Sequence, residues 1–165
     1  FMEKVSIREY TSADREIVEQ CIFELQEEEV VRQPEYWQTP EKALEDKYLD
    51  YLLKLVSTNN GKLFVAKVDG VVAGYVAVAI EDGKDSSPCI KMKRIGYIPD
   101  FVVLRKYQKR GIGKKLLDAA EQYIKSQDCD YASLDVTTDN PAFDFYKKFG
   151  YREYSTNLKK KLTIQ

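Results

Sequence analysis

The stretch "FVVLRKYQKRGIGKKLLDAA", residues 101–120, decides how the rest of this chain is read. An apolar β-branched run gives way to a basic segment holding Gly111 and Gly113, and then to apolar residues at helical spacing. Strand, short connection and amphipathic helix follow one another within twenty positions. Glycine lets a ligand approach the backbone closely. The first amides of a helix have no intrahelical partner, and its dipole favours an anion. Lys109, Arg110, Lys114 and Lys115 add positive charge around that point. A pyrophosphate suits it; the alternatives are a solvated basic helix start with glycines for close packing, or a grip on nucleic acid.

Two nucleotide loops are excluded by residue identity. The Walker pattern requires glycine where Gln108 stands and a hydroxyl residue where Lys115 stands. The dinucleotide fingerprint requires a third glycine at Leu116.

Composition narrows the chemistry. The 165 residues suffice for one ordinary domain with one core, and no apolar run approaches the length of a membrane span. Nothing resembling a basic-then-apolar leader precedes Met2, so the expected location is cytoplasmic; Phe1 is read as a cloning remnant and the domain as running over 2–165. Cys21, Cys89 and Cys129 are odd in number and widely spaced, which suits reduced thiols and no metal site. There is no histidine. Histidine-dependent triads and zinc sites are therefore excluded, and proton transfer must use Asp, Glu, Tyr, Lys, Cys or water. Cys89 could act as a nucleophile only without an activating histidine; Cys21 and Cys129 read as packing residues.

The net charge of −1 conceals a polarity. Glu9–Asp50 carries 13 acidic and 4 basic residues, a net of −9, whereas Lys84–Lys115 carries 10 basic and 2 acidic, a net of +8.

Along the chain, residues 5–9 alternate as a first strand. Thr11 and Asp14 form a capping-box pattern before a helix with Ile17, Cys21 and Leu25 on one face. Thr39 and Pro40 start a second helix whose stripe is Leu44, Tyr48, Tyr51, Leu52 and Leu55, ending at 57–61. Asp69-Gly70 joins two apolar runs as a hairpin. A polar loop spans 81–88, and a strand over 94–104 is interrupted at Pro99, where a bulge or a local loss of pairing is expected. A helix follows from Gly111 to about Ser126, then a strand over 131–136 and a short helix over 140–150 closed by Gly150. "YREYS" and "NLKKKLT" read as closing strands. The order is that of one mixed α/β layer domain.

The run Gln108-Lys109-Arg110-Gly111-Ile112-Gly113 resembles the Q/R-x-x-G-x-G/A signature of the GCN5-related N-acetyltransferase (GNAT) superfamily. "DFVVLRKY" (100–107) resembles the strand leading into that loop, and "NPAFDFYKKFGY" (140–151) resembles the family's other motif. The resemblance spans nearly the whole chain. It implies a central, mostly antiparallel sheet splayed between strands 4 and 5, flanked by about four helices, and acetyl-CoA as cosubstrate. By the same resemblance, residues 108–114, Lys114 included, would seat the CoA pyrophosphate. Phe101, Val102 and Val103 would supply the strand contacts to pantetheine, with Asn140 beside it. Tyr146 would face the CoA sulfur as both contact and acid. The family places its Asn seven residues before that Tyr; here the separation is six, and Asp139 holds the seventh slot.

Acetyl transfer to an amine requires a base to take the ammonium proton, a donor for the oxyanion, and an acid for the leaving thiolate. Asp100 and Asp135, on strands expected to flank the thioester, are the candidate bases; each could equally be a structural or solvated carboxylate. Acidic first helices would favour a cationic acceptor, a small polyamine or aminosugar above all, with a peptide amine as the alternative. Tyr36, Trp37 and Tyr48 could wall such a site. The other readings are a non-catalytic acyl-CoA-binding module and, for residues 84–115, a nucleic-acid surface. The expected reading has no nucleic-acid or membrane partner, and allows a homodimer.

Overall fold

The computed structural model describes residues 3–84, 87–91 and 93–162. Phe1 and Met2, part of the 81–88 loop (residues 85 and 86), and Thr163 of the expected last strand lie outside the described residues. The chain divides into two compact units, Phe1–Asp135 and Val136–Gln165.

The first unit is built on five strands: β1 (Val5–Glu9), β2 (Lys62–Val68), β3 (Val71–Glu81), β4 (Ile95–Val103) and β5 (Tyr131–Ser133). They lie side by side in chain order, antiparallel except for the parallel pair β4–β5. Asp69 and Gly70 turn β2 into β3 with φ of 48° and 85°, both left-handed, as the hairpin signal requires. β3 is central and buried from Val72 to Ile80, which accounts for its unbroken apolar run.

Helices α1 (Arg15–Arg32), α2 (Pro40–Glu45) and α3 (Tyr48–Thr58) follow β1, and α4 (Ile112–Ser126) joins β4 to β5. The main core packs Val18, Cys21 and Ile22 of α1 and Leu49, Leu52 and Val56 of α3 on Tyr75, Ala77 and Val102 of the sheet. Burial of each such Leu or Ile is worth roughly 1.5–3 kcal/mol. On α4, Ile112, Leu116, Leu117, Ala120 and Ile124 are buried at the expected spacing. A Cβ at Gly96 would come within 2.3 Å of the Ile124 side chain, so α4 sits directly on β4.

At its start, α1 is preceded by a 3-10 turn at Ser12–Asp14. The Thr11 amide donates to Asp14 Oδ2 at 2.9 Å, and Arg8 pairs with the same buried carboxylate at 2.6 Å. Thr39 caps α2 with Pro40 in its first turn.

Three expectations are corrected. The second helix is not continuous: Lys47 takes φ 58°, ending α2 and re-aiming α3. The apolar stripe shifts with it to Leu49, Leu52 and Val56, and Tyr51 is left 61% exposed. The strand expected over 131–136 stops at Ser133. Residues 151–162 form no strand, because a strand exists only where its amides and carbonyls find a ladder, and no sheet pairing reaches them. Tyr154 and Leu158 there are 100% and 90% exposed.

The second unit contains α5 (Ala142–Lys148), closed by Gly150 at φ 92°. Its Tyr146 ring packs edge-on against Phe145 and Tyr151, with centroids 5.5 and 5.8 Å away.

Gly74 of β3 leaves no room for a methyl group: a Cβ would stand 2.3 Å from the Val102 carbonyl oxygen, a backbone atom of β4. Gly74→Ala is expected to destabilise the protein by about 1–3 kcal/mol through overpacking, measured by urea or thermal unfolding.

Candidate active site

The bulge expected at Pro99 is present, and it sets the site. Ala79 pairs with Tyr97 and Ala77 with Asp100, so β4 carries one more residue than β3 across this interval. Ala77 and Ala79 share a face of β3, and their partners therefore share a face of β4. In an unbroken strand, residues three apart point opposite ways. The extra residue thus turns Asp100 onto the side of Tyr97, toward the α1–α3 layer.

Asp100 is buried there, only 7% exposed. Its Oδ2 accepts from Tyr75 Oη at 2.6 Å and from Tyr48 Oη at 3.2 Å. Burial pushes its carboxyl up to about 6, opposed by those two hydroxyls and the Phe101 amide, and reinforced by the negative charge of Glu29. Burial and the neighbouring Asp100 in turn raise both phenols above their ordinary range.

The splay is visible in the pairing. β5 accompanies β4 only over Ile95–Tyr97 and stops, while β4 continues to Val103. The Leu104 amide bonds to the Ala73 carbonyl, so by antiparallel alternation Val102 and Asp100 also direct their backbone groups to β3. Phe101 and Val103 direct theirs to the opposite, β5-side edge. Of the three residues expected to present backbone groups there, Val102 is instead turned to β3. The Val103 carbonyl accepts from Gln108 Nε2 at 3.0 Å, and the Phe101 amide lies against the Asp100 carboxyl. Just past β5, the exposed Asp135 accepts from Tyr97 Oη at 3.0 Å; it is not on a strand. Burial, and then Asp135, push the Tyr97 phenol up to about 12.

A short 3-10 turn at Arg105–Tyr107 leads from β4 to the glycine loop. Lys109 takes φ 60° and Gly111 φ 77°, a left-handed cap at the start of α4. A Cβ at Gly111 would meet nothing within 4 Å. Close packing is therefore not the reason for this glycine; the left-handed turn is, and the space in front of it is open. Ile112 and Gly113 begin α4, where helix amides lack carbonyl partners four residues back. Arg110 pairs with Glu3 at 2.7 Å and lies 5.5 Å from the Tyr107 ring centroid; Lys114 pairs with Asp118.

Ion pairs, some along one helix and some between distant elements, hold much of the acidic segment. Arg105, next to the loop, is held by Glu27 and Glu28 at 3.0 Å each, and its amide donates to Glu24. Arg15 binds Glu19 and Asp50, Arg32 binds Glu29, and Lys42 binds Glu45 and Asp46. Much of the acidic segment is thus engaged internally, part of it by the basic segment.

In the second unit, Asn140 Oδ1 accepts from the Ala142 amide at 2.9 Å, so the side chain helps to start α5. Cys21 is buried and its thiol is pushed up to about 12, as suits a packing residue; Cys89 is exposed. Among the described residues no group of His, Cys, Asp or Glu could hold a metal ion, and no helix is long and apolar enough to cross a membrane.

The raised carboxyl of Asp100 has a linked effect on stability. Because its folded value of about 6 exceeds its unfolded value, it favours folding at low pH, and this is lost as pH rises through 6. Relative to wild type, Asp100→Asn is expected to gain stability, by up to about 3 kcal/mol, as pH goes from 4 to 7. Unfolding curves of both proteins across that range measure it; a constant difference would contradict it.

A family model described as the acetyltransferase (GNAT) family matches residues 22–151. The chain is 36% identical over 93 residues to an N-alpha-acetyltransferase of Sulfurisphaera tokodaii, covering 54% of this chain and 56% of that protein. It is 34% identical over 115 residues to an N-alpha-acetyltransferase of Sulfolobus acidocaldarius, covering 67% of this chain and 68% of that protein. The match to the Sulfurisphaera protein thus spans little more than half of its length. Among solved structures, a Bacillus halodurans protein shares the fold with a TM-score of 0.81 at 21% identity, covering 96% of this chain and 99% of that one. With a signature loop, a splayed sheet and a family match over most of its length, this chain belongs to the GNAT acetyltransferase family.

Proposed function

We propose that this chain, as one domain over residues 2–165, is an acetyl-CoA-dependent N-acetyltransferase that passes the acetyl group directly to a primary amine. The observation that carries this is the open, left-handed Gly111 at the start of α4, reached from a β4 edge that β5 has left. The CoA pyrophosphate would lie on the amides of the 108–114 loop, with Lys109, Arg110 and Lys114 supplying charge. Pantetheine would run along β4 at Phe101 and Val103, and the acetyl carbonyl would sit where the strands part. Tyr146, carried over from the family's pattern, is the acid that returns a proton to the leaving thiolate. Asn140 is engaged in starting α5, which supports a reading in which its usual pantetheine contact is altered. No metal takes part in this scheme, and cytoplasmic acetyl-CoA would be the donor.

A cationic small-molecule acceptor rested on unpaired acidic helices, and the internal ion pairs remove much of that support. The names of the Sulfurisphaera and Sulfolobus relatives favour the alternative, an amine at a peptide N-terminus, whereas two Salmonella relatives, 25% and 28% identical, are aminoglycoside N(6')-acetyltransferases and favour an aminosugar. At neutral pH such an amine, with a pKa of about 8, is still largely protonated and needs a base.

Acetyl-CoA at a hundredfold excess over its Kd is expected to stabilise the protein by about 2.7 kcal/mol, visible as a raised thermal midpoint. Gly111→Val should abolish that shift, with its own ligand-free midpoint as control. Tyr146→Phe should keep the shift and lower thiol release from acetyl-CoA by about 10²-fold or more, assayed on peptides with free N-termini. No shift with acetyl-CoA would end the reading; a shift without thiol release on any amine would leave a non-catalytic acyl-CoA-binding module.

A further inference from the structure

The two tyrosines on Asp100 do more than bury a carboxylate. Among the described residues, Tyr75 from β3 and Tyr48 from α3 donate to it, and Cys21 and Glu29 of α1 act on it electrostatically. Tyr75 is completely buried, so it holds Asp100 in place but leads nowhere. Cys21 is completely buried with its thiol held protonated, and Glu29 is bound to Arg32. Tyr48 alone among the four both donates to Asp100 and keeps partial exposure. It is the first residue of α3, its ring centroid lies 6.0 Å from that of the exposed Tyr51, and it is electrostatically coupled to Tyr97, where β4 and β5 part.

We propose that Asp100 takes the acceptor's proton through Tyr48. One ammonium proton passes to Tyr48 Oη as the Tyr48 hydroxyl proton passes to Asp100 Oδ2. The products are a neutral amine, an unchanged tyrosine and a protonated Asp100, which returns its proton to solvent by the reverse path after transfer. Tyr75 is the positioning residue, fixing the oxygen that receives the proton. The geometry suits a relay better than direct contact, because the carboxylate is enclosed and its Oδ2 already accepts from both hydroxyls. A phenol held above its ordinary range does not store charge, so it moves its two protons in concert. This scheme rests on the acetyltransferase reading above.

The test compares wild type, Tyr48→Phe and Asp100→Asn on two acceptors at neutral pH. One is a peptide with a free N-terminal serine; the other is the same peptide capped with an aminooxyacetyl group, whose nitrogen is already neutral. CoA thiol release is followed for each, and thermal midpoints with and without acetyl-CoA report folding and donor binding. Both variants are expected to lose about 10²-fold or more in kcat on the serine peptide and to keep near wild-type rates on the aminooxy peptide. Equal losses on both acceptors would show that Tyr48 merely shapes the site and overturn the relay. A Tyr48→Phe enzyme as fast as wild type on the serine peptide would overturn it as well. Wild-type protein that releases no thiol from these peptides or from any amine of a panel with polyamines and aminosugars overturns the acetyltransferase reading, and the relay falls with it.

Discussion

One extra residue in β4 governs which side chains that strand turns toward the α1–α3 layer. At Ile98–Pro99 the strand runs one position ahead of β3, and every residue beyond it changes face. Without the bulge, Asp100 would point toward the α4 side and Phe101 toward the α1–α3 core. With it, a carboxylate enters a layer of apolar side chains and must be satisfied there, which Tyr75 and Tyr48 do. Proline is compatible with that position because a bulge already forfeits a ladder hydrogen bond. The same strand then outruns β5, so the enclosed carboxylate and the edge proposed to receive pantetheine lie on one stretch of β4.

The ionised form of Asp100 is unfavourable where it sits. A buried carboxyl raised to about 6 is a standing cost to the folded state at neutral pH, and only partial compensation comes from its two hydroxyl donors. A base works best with a pKa close to the ambient pH, which agrees with the role proposed for Asp100. Asp135 is the contrast: exposed and bonded to Tyr97, it holds the end of β5 near the parting strands.

Charge is organised differently from its distribution along the chain. The −9 and +8 segments meet at Arg105, which Glu27 and Glu28 bind from α1. Exposed pairs of this kind are worth at most about 1 kcal/mol each. Their effect is positional: they tie the turn before the glycine loop to the first helix, and they reduce the acidic surface left for a cationic acceptor.

Features legible in the sequence were those decided within a few residues. The Asp69-Gly70 hairpin, the bulge at Pro99, the Thr39-Pro40 helix start and the buried face of α4 each follow from local backbone preference or from the period of apolar side chains. The family motifs belong to the same class, since a glycine loop and its helix are contiguous. The rest depended on partners far along the chain. Tyr75 and Tyr48 lie 25 and 52 positions from Asp100, and Glu28 lies 77 from Arg105. The break at Lys47 is not legible locally because a short apolar stripe fits two phases equally well, and only packing against the sheet chose Leu49, Leu52 and Val56. The closing segment alternates as a strand would, yet a strand needs a ladder, and nothing in the alternation says whether one is there. Sequence by itself thus determined the elements and the loop, where the forces are local; tertiary structure decided which side chains share a site, because burial and hydrogen bonding act between residues that only folding brings together.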